Sequence, residues 1–211
     1  MNVLVIGASQ GTGALVVRAA LDKGHHVTAL ARSPQKLAIE HDHLKKMAGD
    51  FHQASSVDAA VPGHDAVILT ASATRLSAFK ENPRYFSQGT GHVIDAMTKG
   101  GVKRLSVLSA LGTGNSRSLL NPIARALIVG WLLKVPFADH ERQEEQVRTS
   151  GLDWVIARPG RLTNGPARRL YVTKTAIESL PSSISRADVA DFLVRACEVP
   201  TWVGHAVQVG G

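Results

Sequence analysis

Cysteine is almost absent from this chain: Cys197 stands alone among 211 residues, which excludes an internal disulfide and any metal site built from several thiolates. It sits in an apolar helical pattern, so it reads as a buried structural thiol in a reducing compartment. Aromatic residues are scarce at 5%, and the basic residues are scattered, so the net charge of +7 and pI near 9.9 do not point to a nucleic-acid partner. Binding an anionic cofactor explains that balance equally well. Long apolar runs are also missing. The longest, Ala126 to Leu133, falls far short of the roughly 20 residues that span a bilayer. No charged segment precedes the apolar start of the chain, which therefore reads as a strand rather than a signal peptide. The expectation is a cytoplasmic protein with no membrane partner. The histidines, His41, His43 and His52 among them, form no ligand constellation, so no metal is expected.

What is present begins at the start of the chain. Asn2 to Ile6 is continuously apolar, as in a strand buried on both faces, and Ala14 to Leu21 carries Leu15, Val16, Ala19 and Ala20 at helical spacing. Between them lies Gly7-Ala-Ser-Gln-Gly-Thr-Gly13. Gly7 permits the tight turn, Gly11 lets a phosphate approach the backbone, and Gly13 lets the helix pack close to the strand. Free N–H groups and the positive helix end then face an anion, and Ser9, Gln10 and Thr12 join the expected cradle. The spacing G-x-x-x-G-x-G differs from the usual dinucleotide fingerprint and resembles that of short-chain dehydrogenases/reductases.

A second absence bears on the cofactor. The strand His26 to Ala31 ends in Ala31-Arg32-Ser33, and no carboxylate occurs between Asp22 and Glu40. An acidic residue there would hold the ribose 2′-hydroxyl of NAD, whereas arginine accommodates a 2′-phosphate. Arg32, with Ser33 and Lys36, therefore argues for NADP(H). Further strands are expected at Leu44 to Ala48, Asp65 to Leu69, Arg104 to Ser109, Trp154 to Arg158 and Ala206 to Val209, with a short extended piece at Tyr171 to Thr175. Helices are expected from Pro83 to about Met97, from Ala138 to Thr149 with Asp139 as cap, and from Ser185, where Asp188 would complete a capping box. Strands alternating with helices over this length imply one α/β domain, residues 1–211: a Rossmann-like, doubly wound parallel sheet with helices on both faces and a small C-terminal elaboration on the substrate side.

Ligands in such sheets bind beyond the carboxyl ends of the strands. That rule selects Asp50 and Phe51 for the adenine, unless Asp50 merely caps the next helix near Ser55. It selects Thr70, Ala71 and Ser72 where the cofactor crosses the sheet edge, and Pro159, Gly160 and Arg161 after the sixth strand. Ser87 could touch cofactor or only water. Arg158, Arg161, Arg168 and Arg169 form a basic run that could hold a substrate anion or be a solvated face. Leu119 to Phe137 could be a lid, an oligomer contact or core.

The markers Gly7 to Gly13, Ala31-Arg32, Gly49-Asp50, Asp65-Ala-Val-Ile68, Gly101-Val-Lys103, Ser109, Asp139-His140, Ser150-Gly-Leu-Asp-Trp154 and Arg158-Pro-Gly160 resemble the atypical short-chain dehydrogenases that bind NAD(P)H. Within them the resemblance is to the flavin reductase/biliverdin-IXβ reductase type, and it covers most of the chain. It implies that Arg32 and Lys36 hold a 2′-phosphate, and that Ser109 and His140 border the nicotinamide and substrate as catalytic residues. Gln10 departs from the pattern, since many relatives have glycine there. The tyrosine four residues before a lysine, used by most short-chain dehydrogenases, is missing too. Tyr85 has Gly89 and Tyr171 has Thr175 at that spacing. Alcohol oxidation and sugar epimerisation, which need that phenolic acid/base, are thereby disfavoured. Hydride transfer from NADPH to a small planar acceptor (flavin, quinone or bilin) does not need it, because there the protein mainly positions the two partners. A non-catalytic NADP(H)-sensing regulatory protein that binds a protein partner is the alternative, in a monomer or homodimer.

Overall fold

A computed structural model describes residues 1–73, 75–120, 122–126 and 133–211. Six parallel strands, β1 (Asn2–Ile6), β2 (His26–Ala31), β3 (Leu44–Ala48), β4 (Ala66–Leu69), β5 (Arg104–Leu108) and β6 (Asp153–Pro159), stand in the order β3-β2-β1-β4-β5-β6. The strand order reverses between β1 and β4, and at such a switch point a crevice opens above the sheet. β1 registers Ile6 against Leu30 on one side and against Leu69 on the other. Beyond β6 the sheet adds a parallel β10 (His205–Gly210), and then the antiparallel edge strand β8 (Val172–Lys174). Two three-residue strands, β7 (Arg161–Thr163) and β9 (Ser183–Ser185), pair in parallel outside it.

The alternation of side chains along a strand sends Val3 and Val5 into one core and Leu4 and Ile6 into another. The first core lies under α1 (Gly11–Asp22) and α7 (Arg186–Glu198), with Val16, Val17 and Phe192 buried there. The second lies under α2 (Ala54–Ala60) and α4 (Tyr85–Gly100), and includes Val57, Val93 and Met97. A single turn, α3 (Ala78–Glu81), precedes α4, and the three-residue α5 (Pro122–Ala124) follows β5. Both faces of the sheet are covered, as the continuous apolar strands require. Cys197 is buried in the first core, and burial, the largest cause, pushes its thiol up to about 12.

One helix departs from its sequence reading. α6 runs over Lys134–Arg148, so Asp139 lies inside it rather than at its cap. The Asp139 carboxylate is fully buried and accepts hydrogen bonds from the Phe86 backbone N–H (2.6 Å) and the Ser87 hydroxyl (2.6 Å). It thus satisfies, from a neighbouring helix, an N–H that the first turn of α4 leaves without an intrahelical partner. Ser87 is fully buried, and its hydroxyl proton is spent on this carboxylate. One turn further on, Gln143 Nε2 donates to Thr90 Oγ1 at 2.9 Å. At α7 the Ser185 hydroxyl accepts from the Asp188 backbone N–H (2.9 Å) and donates to the Asp188 carboxylate (2.7 Å). Asp188 also receives the Arg168 and Arg169 backbone N–H groups, which ties the preceding loop to the helix start. Among the described residues no helix is long and apolar enough to cross a membrane. The segment 119–137 is described only in part, and its residues 121 and 127–132 lie outside the described residues, together with most of the longest apolar run.

Candidate dinucleotide site

A cleft of about 420 Å³ opens at the carboxyl ends of β1 to β4. From the first turn it is lined by Gly7, Ser9 and Gln10, and from the end of β2 by Arg32, Ser33 and Lys36. Asp50 and Phe51 close one end, and Ala71 and Ser72 face them from the end of β4. Ten of the sequence-selected residues are thus brought to one wall or another of a single cleft.

The three glycines have different reasons to be glycine. Gly7 adopts φ +86°, and a Cβ there would lie 2.6 Å from the Ala71 backbone. At Gly13 a Cβ would meet the Gly7 carbonyl oxygen at 2.1 Å, so α1 can approach β1 only without a side chain. Gly11 adopts φ +58°, and among the described residues nothing lies within 4 Å of its missing Cβ: it faces open space. Gln10, the cap residue, makes no side-chain hydrogen bond to α1, and no acidic residue lies in that helix's first turn. The leading N–H groups are therefore available to an anion in the cleft. Thr12 is buried in α1, and the Thr70 hydroxyl is spent on the Ile6 carbonyl oxygen (2.9 Å), which ties the end of β4 to the end of β1.

At the other end, Asp50 Oδ1 accepts from the His52 backbone N–H (3.0 Å) and faces His52 Nδ1 at 3.2 Å. Gln53 rather than Asp50 caps α2, which removes the capping alternative. Phe51 is buried against Gly89, where a Cβ would lie 2.0 Å from the ring, and packs edge-on to Tyr85. Tyr85 is a further wall residue, which no motif marks because it lacks a lysine four residues on. Burial is the main cause that raises its phenol, with Arg32 opposing and Asp50 reinforcing. A nicotinamide dinucleotide fits this frame: the open Gly11 turn for its pyrophosphate, and an aromatic-lined end with one carboxylate for its base.

The remaining candidates stand apart from this cleft. Pro159 ends β6, and Gly160 admits no Cβ because the Ser182 carbonyl oxygen would be 2.5 Å away. Arg161 is exposed in β7. Ser109 follows β5, is nearly buried, and donates its hydroxyl proton to Glu144 Oε1 at 2.7 Å. Glu144, in the mostly polar α6, is fully buried and receives Arg158 in a two-pronged pair, Nε to Oε1 at 3.0 Å and Nη2 to Oε2 at 2.6 Å. Arg158 is itself 1% exposed, so it is no part of a basic surface run. Burial works to raise the Glu144 carboxyl, but Arg158, Ser109 and Arg148 together outweigh it and hold the group below the usual range. A guanidinium inside an otherwise apolar strand was the signal for this pair, since a buried charge needs a partner.

His140 stacks on Phe86, with ring centres 4.0 Å apart and planes 18° apart, and its Nδ1 lies 2.9 Å from Gln143 Oε1. Burial is the leading cause that holds this imidazole below its ordinary value, against the opposite pull of Gln143, Glu144 and Asp139. The folded protein therefore binds fewer protons here than the unfolded chain, and stability contributed by neutral His140 is present above the ordinary value of 6.5 and lost as pH falls below it. Replacing His140 by phenylalanine, which keeps the stack, is expected to flatten the stability profile between pH 6.5 and 5. An unchanged slope in urea unfolding across that interval would show that His140 does not carry the effect.

Residues 7–200 match the profile of the NAD(P)H-binding family. An uncharacterised chloroplast protein of Arabidopsis thaliana is 28% identical over 94% of the chain, which spans 66% of that protein's length. Among solved structures, the anaerobilin reductase ChuY of Escherichia coli O157:H7 superimposes with a TM-score of 0.81 at 25% identity, covering 100% of this chain and 97% of ChuY. The oxidoreductase YlbE of Lactococcus lactis gives 0.83 at 18% identity over 100% of this chain and 91% of its own, a likeness of fold. With a switch-point cleft, a glycine turn open to phosphate and a profile match over nearly its whole length, the chain belongs to the NAD(P)H-binding family and has its oxidoreductase-type Rossmann fold.

Proposed function

We propose that the protein is an NADPH-dependent reductase that delivers hydride to a planar conjugated acceptor of the flavin, quinone or bilin type. The observation that carries the cofactor choice is Arg32, with Ser33 and Lys36, on the cleft wall beyond β2, on a stretch with no carboxylate between Asp22 and Glu40. A 2′-phosphate there gains charge-assisted hydrogen bonds, and NADH gains none of them. Gly11 and the N–H groups of the α1 start hold the pyrophosphate, and Asp50 and Phe51 take the adenine. Ser109, His140 and the Pro159-Gly160-Arg161 turn would border the nicotinamide half. When bound, the cofactor supplies the hydride. The chain aligns the acceptor with it and keeps His140 neutral, so the proton that follows hydride comes from solvent. ChuY, a bilin reductase by its description, supports an acceptor of this kind.

The test is a binding titration of NADPH and NADH with wild type and Arg32→Ala. The loss for NADPH should be on the order of 1.5–3 kcal/mol, with little change for NADH. Equal losses for both would overturn the NADP assignment, and a lack of NADPH oxidation across a panel of flavins, quinones and bilins would overturn the reductase. A second reading, an NADP(H) sensor that binds a protein partner, is favoured by one observation: the protons of Ser109 and His140 are committed to Glu144 and Gln143 inside the protein. Partner capture that does not respond to NADP(H) would dismiss it.

A further inference from the structure

We infer that Ser109 meets its ligand as a hydrogen-bond acceptor, so the group seated against it carries an N–H donor, an amide, imide or lactam nitrogen, rather than a bare carbonyl. The inference rests on the reductase reading only in placing the nicotinamide end of the site at β5. Its basis is the direction of one proton. Glu144 Oε1 takes Arg158 Nε (3.0 Å) and Ser109 Oγ (2.7 Å), while Oε2 takes Arg158 Nη2 (2.6 Å) and Arg148 Nη2 (2.5 Å). A carboxylate so surrounded by cationic donors is ionised and has no proton to give, so the only proton in the Ser109–Glu144 bond is the serine's own. The hydroxyl then has lone pairs alone to offer elsewhere.

The position of Ser109 makes that polarity matter. β4 and β5 pair in parallel up to Leu69 and Val107, so Ser109 follows β5 at the same carboxyl edge of the sheet where Ala71, a wall residue of the cleft, follows β4. The Ser109 backbone N–H is spent on the Ala157 carbonyl oxygen at 2.8 Å, so no second donor arises from the same residue. One turn back along α6 the sign repeats. Gln143 donates from Nε2 to Thr90 and turns Oε1 to His140 Nδ1, which leaves the neutral ring its Nε2 lone pair. Glu144 and Arg158 are positioning residues in this scheme: they touch no ligand and set which way the serine points.

Two sources can supply the N–H, the carboxamide of the cofactor or the bound acceptor, and two analogue pairs separate them. One pair is NADP⁺ and its 3-acetylpyridine analogue, in which a methyl replaces the carboxamide nitrogen. The other is riboflavin and N3-methylriboflavin. Affinities are measured for wild type, Ser109→Ala and Ser109→Thr. In one pair wild type should favour the N–H compound by about three- to tenfold, the worth of one net hydrogen bond. The preference should vanish in Ser109→Ala and return in Ser109→Thr, which keeps a hydroxyl; loss of packing alone would weaken both members of a pair and leave their ratio unchanged. The pair that discriminates names the source. No discrimination by wild type in either pair, or discrimination that survives in Ser109→Ala, overturns the inference. NADPH oxidation is followed alongside: turnover without discrimination leaves the reductase standing and removes this inference, whereas discrimination without turnover does the reverse.

Discussion

Replacing Glu144 by alanine is expected to destabilise the protein by about 3–5 kcal/mol, because it strands the Arg158 guanidinium in the interior. Three donors lose their acceptor at once: Arg158 through two nitrogens, Arg148 and Ser109. Among the described residues Arg158 retains only Asn115 Oδ1, at 2.6 Å from Nη1. The cost belongs to the unpaired charge more than to the pair, and this separates two experiments. A Glu144→Leu, Arg158→Met double variant removes both charges and should recover most of the loss, since a buried ion pair and a well-packed apolar pair are often close in stability. Urea unfolding of the single and double variants decides the matter; a single-variant cost under about 1 kcal/mol, the range of an exposed pair, would mean that Glu144 is not buried with its charge. Acid gives an independent check. Because the Glu144 carboxyl is held below its ordinary 4.5, its contribution is complete above that pH and is lost as pH falls through the lower folded-state value. The His140 window lies higher, beginning at 6.5, so the two losses are separable on one pH series.

The same pair marks where sequence reading reached its limit. The strands were legible because each is a short apolar run bounded by turn residues. β1, β2 and β3 occupy Asn2–Ile6, His26–Ala31 and Leu44–Ala48 as expected, and the other strands of the main sheet differ by one residue at one or both ends. The glycine turn and the Arg32 wall were legible because their chemistry is local: a positive φ, a close approach, an absent carboxylate. α6 was not. Its buried face is Asp139, Gln143, Glu144 and Val147, a helical stripe composed mostly of polar residues, and hydrophobic periodicity assigns such a stripe to solvent. Its partners, Ser87 and Thr90 on α4 and Arg158 on β6, lie far away in sequence, so only the fold brings them together. β7 and β9 escaped for a related reason: three residues carry no period, and pairing across 22 positions defines them.

Ser109 shows how a local residue acquires its meaning from that distant network. Read alone, a serine at the carboxyl end of a strand is a donor or an acceptor without preference. Beside an ionised, buried Glu144 it has one choice left. The stability of the α6–β6 contact and the hydrogen-bonding sense of the proposed site are thus set by the same carboxylate, and a change at Glu144 that the fold survives should also change what Ser109 accepts.

Gly13→Ala and Gly11→Ala, only two residues apart, are expected to fail in different ways. At Gly13 the new methyl would sit 2.1 Å from the Gly7 carbonyl oxygen and 2.7 Å from Thr70 Oγ1. Backbone cannot yield as a flexible side chain does, so α1 must move off β1 at a cost of about 3 kcal/mol or more, of which alanine's helix preference returns only about 1. The moved helix takes its N–H groups with it. Each charge-assisted hydrogen bond to phosphate is worth about 1.5–3 kcal/mol, so one displaced donor lowers NADPH affinity about tenfold or more. At Gly11 nothing among the described residues lies within 4 Å, and the fold loses only the strain of a left-handed alanine, about 1–2 kcal/mol. Its methyl would instead occupy the space through which the pyrophosphate approaches the backbone, so affinity should fall by a similar factor while the unfolding midpoint moves much less. Urea unfolding and NADPH titration on both variants give the comparison. A Gly11→Ala protein that binds NADPH like wild type would mean that phosphate does not enter at this turn; a Gly13→Ala protein as stable as wild type would mean that the approach of α1 to β1 is looser than 2.1 Å implies.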